Sequence, residues 1–301
     1  MSIFLPVSIK DSTNRAIEFI VIRFGDALHA FNDAVLQWAL LPLEKLLRGA
    51  PPWLVLLLIA LLALHATRRI THALWMTAAC YLIGCFGLWD MLMQTLALVL
   101  VATLLTVLIG LPAGVLVSQS ARARKVLLPV LDVMQTLPPF VYLIPAVMLF
   151  GLGKVPAILA TVIYAVCPLI RLTDLGIRQV DHDVTEAAWS FGTTRWQLLL
   201  GVQLPLALPS IMAGLNQTVM MALAMVVIAS MIGARGLGEE VLAGIQTLDV
   251  GKGLQAGLAI VLLAIVIDRI TQAYGKPRRL RSINGENRDS EKRESDAAGQ
   301  H

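Results

Sequence analysis

Apolar residues run through this chain in long stretches separated by short polar connections. Seven stretches read as membrane-crossing helices, at residues 50–67, 70–89, 91–119, 126–150, 155–173, 207–232 and 254–274. The first is short, since its eighteen residues rise only about 27 Å against roughly 30 Å of hydrocarbon. The fourth is interrupted by Pro138 and Pro139, and the fifth contains Cys167 followed by Pro168. Ahead of them the pattern changes. Phe24, Leu28, Phe31, Val35 and Trp38 recur at spacings of four and three, with Asp26, Asp33 and Gln37 on other faces. That predicts an amphipathic helix lying in the membrane interface or packing on the bundle.

One polar stretch, residues 183–205 (DVTEAAWSFGTTRWQLLLGVQLP), carries soluble-style helix signals inside this apolar chain. Asp183 followed by Glu186 predicts a capping box, each side chain answering the other's backbone N–H. Gly192 suits the left-handed position after a helix end. Thr194 to Gln197 repeats the start signal, and Pro205 is expected to stop the second helix. The stretch therefore predicts helix, glycine turn, helix, held at a membrane surface. Ala187, Ala188 and Phe191 lie at helical spacing and offer a knob for a groove on a partner. The plain alternative is a connection with no further role.

Composition agrees with a polytopic membrane protein. Of 301 residues 57% are hydrophobic and only 15% charged, where a soluble domain carries roughly a quarter. Mean hydropathy is +0.75. The net charge of +4 is spread over short loops and a tail, with no basic face interleaved with aromatics, so nucleic acid is not an expected partner. Sorting the connections by side puts Arg68, Arg69, Arg122, Arg124, Lys125, Arg171, Arg178, Arg195, Lys276, Arg278, Arg279 and Arg281 together. Only Lys154, Arg235 and Lys252 fall on the other side. The positive-inside rule then places the stretch 183–205 and the C-terminus in the cytoplasm, and an odd span count places the N-terminus outside. The first residues lack a basic n-region and a cleavage site, so no secretory signal peptide is read there. The polar tail at 276–301 is expected to be disordered.

The chain lacks the machinery of an enzyme. Gly153-Lys154 and Gly251-Lys252 are not followed by Ser or Thr, so no phosphate-binding loop is present. No nucleophilic triad assembles, the five histidines are scattered, and Cys80, Cys85 and Cys167 show neither disulfide nor metal-ligand spacing. Polar and helix-breaking residues inside apolar stretches are the remaining candidates for function. Gln135, Thr136, Pro138, Pro139 and Tyr142 form one group, and Asn216, Gln217 and Thr218 another. Freed carbonyls beside consecutive prolines can line a solute path, and Tyr142 and Tyr164 could face a quaternary ammonium. Kinks that serve packing, and helix–helix hydrogen bonds, are the alternatives. Asp268 and Arg269 are read as an ion pair or a snorkelling pair. Residues 233–253 are read as an external loop whose Val241, Leu242 and Ile245 could form a short amphipathic helix.

Glu186-Ala187-Ala188, three residues, Gly192, nine residues, then Val202-Gln203-Leu204-Pro205 resembles the EAA loop of ABC-importer permeases, departing only in Val202 for the usual Ile. Residues 131–145 (LDVMQTLPPFVYLIP), 209–218 (PSIMAGLNQT) and 225–232 (MVVIASMI), with Gly236-Leu237-Gly238 after them, resemble the osmoprotectant subgroup that takes up glycine betaine, proline betaine and related quaternary ammonium compounds. The resemblance covers residues 89–274. It implies an all-α bundle of about seven transmembrane helices with the type I ABC-importer permease (MetI-like) fold. Residues 1–50 would form an external amphipathic segment, 50–89 two peripheral helices, and 90–275 the permease core. It also implies that Asp183, Glu186, Ala187, Ala188, Phe191, Gly192, Val202, Leu204 and Pro205 couple to a separate ATPase. Two copies of the chain would form the pore in the cell inner membrane. Two ATPase subunits would bind the ATP and Mg, so the chain itself would need no cofactor, and a periplasmic or lipid-anchored binding protein would deliver substrate. The rival readings are an ion-coupled secondary transporter of small polar solutes and a membrane sensor without transport.

Overall fold

In lipid only a ladder of hydrogen bonds within one segment satisfies an isolated backbone, so apolar runs of this length fold as helices. The computed structural model describes residues 10–275, and every regular element among them is helical. The expected tail at 276–301, with Lys276, Arg278, Arg279 and Arg281, lies outside the described residues, as does the start of the chain. The elements are α1 (Lys10–Ala34), α2 (Leu41–Gly49), α3 (Pro52–Thr67), α4 (Ile70–Cys85), α5 (Trp89–Gln119), α6 (Ala121–Thr136) and α7 (Pro139–Phe150). They continue with α8 (Lys154–Arg178), α9 (His182–Ser190), α10 (Arg195–Leu198), α11 (Leu204–Ser230), α12 (Leu237–Thr247) and α13 (Val250–Gly275). A π-helical turn, Val35–Leu40, joins α1 to α2, and another, Leu199–Gln203, joins α10 to α11.

Four helical runs are long and apolar enough to cross a membrane: α5, α8, the unbroken Arg195–Ser230 and α13. Two bent pairs raise the number to as many as six, and α4 is a shorter apolar helix. The expected span at 126–150 is one of the bent pairs. Leu137 and Pro138 adopt extended backbone, and α7 leaves α6 at 99°. Each proline disfavours the helical conformation in the residue before it and removes an N–H. Consecutive prolines therefore turn a kink into a corner. Pro205 behaves in the opposite way and does not stop the helix. The Leu204 N–H reaches back to the Leu199 carbonyl across the π-turn, and the chain runs on into α11. The same device shifts the face expected of the N-terminal segment. Val35 and Leu40 are buried while Trp38 is 85% exposed, because a π-turn moves the inward position on by five residues instead of three or four.

The centre of the bundle is α8, whose most apolar window is 72% buried, against 22% for α13. It packs most extensively on α11 and α5. Small residues allow the approach: a Cβ at Gly114 of α5 would stand 2.6 Å from the Cβ of Thr173, and one at Gly176 of α8 2.6 Å from that of Ser210 on α11. Leucines 57, 58, 61, 104 and 108 point outward, as lipid-facing positions should. The three cysteines are free, Cys80 and Cys167 buried and Cys85 exposed.

Contacts sort the helix ends into two sets. Gln119 of α5 donates to the Gln203 side chain at 3.3 Å, and His65 of α3 meets Tyr274 of α13 at 3.0 Å, at the end that carries α9 and α10. At the other end Gly153 donates to the Ile232 carbonyl at 2.9 Å, Leu237 to the Thr95 hydroxyl at 2.8 Å, and Gln255 to the Phe86 carbonyl at 2.8 Å. Arg68, Arg69, Arg122, Arg178 and Arg195 belong by chain order to the first end. Lys154, Arg235 and Lys252 belong to the second.

Candidate functional site

The stretch 183–205 folds as the helix, turn and helix that its residues predict, with two changes. The first is the cap. Asp181, not Asp183, stands in extended backbone ahead of α9, and its carboxylate accepts the Asp183 N–H at 3.0 Å. Asp183 instead sits in the first turn, where a negative charge complements the helix dipole. Glu186 does not return to a backbone N–H; it meets His182 at 3.3 Å, an exposed pair one turn apart. His182, Asp183 and Glu186 bring ligand-type atoms within 4.8 Å of one another, all on exposed helix surface. The second change is Pro205, described above.

The turn and second start are as expected. Gly192 has φ +77°, and no neighbour would obstruct a Cβ there, so its requirement is conformational alone. The Gly192 N–H donates to the Trp189 carbonyl at 2.8 Å, and the Thr193 hydroxyl to that of Ala188 at 2.9 Å. Thr194 and Gln197 form a complete capping box: the Thr194 N–H donates to Gln197 Oε1 at 2.8 Å, and the Gln197 N–H to Thr194 Oγ1 at 3.4 Å.

The two halves of the spaced motif have different surroundings. No residue of α9 is buried; Glu186 and Ala187 are exposed and Ala188 half-buried. Phe191 is 89% exposed, Trp196 71% and Trp189 47%. Three uncovered aromatic side chains within eight positions make an apolar tip outside the bundle. The later half is the root. Leu199 is buried with Ile177 of α8 and Ala207, and Leu204 packs against that group. Val202 is half-buried and Pro205 exposed. An exposed tip is thus fixed to α8 and α11, the two most closely packed helices among the described residues.

The first group of path candidates surrounds the corner between α6 and α7. Gln135 is exposed, the Thr136 hydroxyl donates to the Val133 carbonyl at 2.8 Å, and Pro138 and Pro139 open α7. Tyr142 is buried, and its hydroxyl donates to the Met134 carbonyl, spanning the corner. Its ring lies 6.3 Å from that of Tyr164 on α8, tilted by 47°. The second group divides. Thr218 is fully buried and donates to the Ala165 carbonyl at 2.9 Å, one residue from Tyr164. Asn216 faces away from it and donates to Asp268 of α13 at 2.7 Å, while Gln217 is exposed. Asp268 is therefore held by Asn216 and Gln272, not by Arg269, so the expected ion pair is absent among the described residues.

Ion pairs that pattern reasoning missed fix the corner in place. Arg124 of α6 meets Asp174 of α8 at 3.3 Å, and Asp132 of α6 pairs with Arg171 of α8. Asp174, only 4% exposed on a span, was detectable as an acid in an apolar run. The 233–253 stretch holds α12, with Glu239 and Glu240 in its first turn, and Glu240 bridged to Lys252 at 3.0 Å.

Residues 106–279 match the family of binding-protein-dependent transport system inner membrane components. The chain belongs to that family. It is a multi-pass inner-membrane transport component. It is 47% identical over 265 residues to the glycine betaine/proline betaine transport system permease protein ProW of Escherichia coli, covering 88% of this chain and 74% of that one. It is 43% identical over 269 residues to the glycine betaine transport system permease protein OpuAB of Bacillus subtilis, covering 88% and 94%. Its fold is like that of the MetNI methionine ABC transporter solved in inward-facing conformations, with a TM-score of 0.52 at 22% identity, over 60% of this chain and 89% of that one.

Proposed function

We propose that this transport component is the permease of an ATP-driven importer for glycine betaine, proline betaine or a related quaternary ammonium solute. Two copies form the pathway, and each presents the 183–205 hairpin in the cytoplasm to an ATPase subunit that binds the ATP and Mg. A binding protein delivers solute at the opposite face. The observation that carries this reading is the hairpin: a glycine turn, a complete capping box and three exposed aromatics on a root buried against α8. An apolar tip on a rigid base suits a groove on a separate protein. Relatives named for betaine systems supply the cargo class, and the basic residues gathered at the hairpin end support the orientation.

The mechanism follows from the root. When paired ATPases close, they carry the two hairpins with them. Ile177, Leu199 and Ala207 form one packed group, so displacement of the tip moves α8 and α11 together. The corner at Leu137–Pro138 rides on α8 through Arg124–Asp174 and Asp132–Arg171. The solute passes the corner beside Tyr142 and Tyr164, whose rings pack together in this state and whose faces would attract a methylated ammonium once the other arrangement uncovers them. ATP acts as a ligand that favours one of two arrangements of the bundle.

The test is reconstitution with a partner ATPase and a betaine-binding protein in liposomes. ATP-dependent accumulation of labelled glycine betaine, lost when either partner is omitted, is the expected result. Accumulation by the chain alone under a sodium or proton gradient would overturn the reading. Of the acids on the spans, Asp174 is paired with Arg124 and Asp268 is held by Asn216 and Gln272.

A further inference from the structure

At the end of the bundle opposite the hairpin, five side chains from three distant segments close a ring. Lys154, the first residue of α8, donates to Glu44 Oε2 of α2 at 2.7 Å and to Gln94 Oε1 of α5 at 3.4 Å. Gln94 donates to Asp90 Oδ2 at 2.8 Å, and Arg48 Nε of α2 donates to Asp90 Oδ1 at 2.6 Å. Arg48 Nη1 returns to Glu44 Oε1 at 3.4 Å. Two cations balance two anions. Glu44 and Gln94 are each 5% exposed, whereas Arg48 and Asp90 lie at the solvent edge.

Three features set the ring apart from ordinary packing. A cation at the first position of a helix opposes the helix dipole, and α8 has no side-chain cap, so Lys154 depends on Glu44 for its charge balance. A buried ion pair holds surfaces together no better than apolar side chains of the same size; what it supplies is one defined arrangement. The segment leading into α8 is glycine-rich and is tied to the residues after α11 by the Gly153 N–H on the Ile232 carbonyl at 2.9 Å. Gly151 and Gly153 have φ of +78° and +136°, and neither has a neighbour within 4 Å of a Cβ position. A balanced charge ring beside this glycine segment takes a second position only if the Gly153–Ile232 bond is exchanged together with the ring.

We propose that the ring is a latch: α2 straps the tips of α5 and α8 together in this state and lets go of α8 when the transport cycle opens that end. Glu44 and Lys154 are its positioning residues. On opening, Lys154 leaves Glu44 and the Gly153 N–H leaves Ile232, while Arg48 stays between Glu44 and Asp90; one cation then faces two acids, and the water admitted to that end solvates the remaining negative charge. The proposal rests on the importer reading for its cycle, but not on the identity of the cargo.

The experiment uses the full complex in liposomes, carrying Glu44→Cys and Lys154→Cys with the exposed Cys85 replaced by Ser. A short bis-thiosulfonate linker joins the two cysteines. Linking should cut betaine uptake about tenfold or more relative to the same complex before linking, and reductant should restore it. Independently of cargo, the yield of linked product should fall several-fold when ATP is trapped with vanadate. If neither uptake nor yield changes, the strap is a fixed scaffold and the latch is wrong. If the complex carries no betaine yet the yield still falls with trapped ATP, the latch stands and the cargo reading fails. A Glu44→Met/Lys154→Met pair separates stability from cycling. It should keep the melting temperature and raise ATP consumed per solute moved, and an unchanged ratio would overturn the proposal.

Discussion

The two ends of the bundle solve opposite problems. At the hairpin end the chain leaves its own surface uncovered: no residue of α9 is fully buried, and Phe191, Trp189 and Trp196 are exposed. At the other end it covers itself. The Glu44 ring, the Leu237 N–H on the buried Thr95 hydroxyl, and the Gly153 N–H on Ile232 tie α2, α5, α8, α11 and α12 to one another. On the proposed reading, an end left open with its backbone satisfied by caps and a glycine turn receives another protein. On the proposed latch, an end closed by directional polar contacts stays shut until those contacts are exchanged. The same helix, α8, reaches both, with Lys154 in the ring and Ile177 in the hairpin root. On the proposed reading, motion at one end reaches the other through this helix, the most buried of the four unbroken spans.

The sharpest way to break this contrast is at the turn. Gly192→Val places a β-branched residue at φ +77°, a conformation that costs an L-residue about 1–2 kcal/mol. The tip then loses its shape while the root stays packed. ATP-driven uptake should fall to background with normal membrane insertion, measured by transport and by yield of folded permease in detergent. Phe191→Asp asks the same question without strain, because the ring is almost wholly exposed. Its melting temperature should match the parent, while recovery of the ATPase with the permease should drop about tenfold, the range expected when a central aromatic anchor is lost. Uptake at parental level from both variants would reduce the hairpin to a connection.

Gly192 was also where pattern reading worked well, since its φ of +77° is the conformation the turn predicts. Long apolar runs announce helices because nothing else satisfies a backbone in lipid, and Thr194 to Gln197 announces a helix start because its box is local. Local rules failed where two solutions were equally available. Asp181 and Asp183 can both cap α9, and the earlier one does so. Pro205 forbids an α-helical bond but not the π-turn that precedes it, and Trp38 fell off its expected face for a related reason. The paired prolines at 138 and 139 were visible, yet a 99° corner depends on α6 being clipped to α8 by residues 39 and 50 positions away. Glu44 and Lys154 stand 110 positions apart. No periodicity or spacing connects them, and only the folded chain does.

At the closed end the test is Thr95→Val. The buried hydroxyl is the acceptor for the Leu237 N–H at 2.8 Å, and a Cβ at Gly236 would stand only 2.5 Å from it. A methyl in its place leaves that N–H unpaired in the core, at about 1–3 kcal/mol. The permease should melt at a lower temperature in detergent, and Thr95→Ser should restore it, since the acceptor returns. An unchanged melting temperature for Thr95→Val would mean that α12 is held by apolar contacts alone.

The smallest effects separate the fold of the hairpin from its use. Asp181→Ala removes the observed cap, typically worth about 1 kcal/mol, and should speed amide exchange in the first turn of α9. Glu186→Ala removes only an exposed pair with His182, whose kind contributes about 0–1 kcal/mol, and should leave exchange close to the parent. The two substitutions should rank the other way in transport. Glu186 lies on the open surface where a partner would sit, whereas Asp181 acts only through the helix behind it. If Glu186→Ala frays α9 as much as Asp181→Ala does, the acid belongs to the scaffold. If instead α9 holds and uptake falls, the uncovered surface is the part that is read from outside.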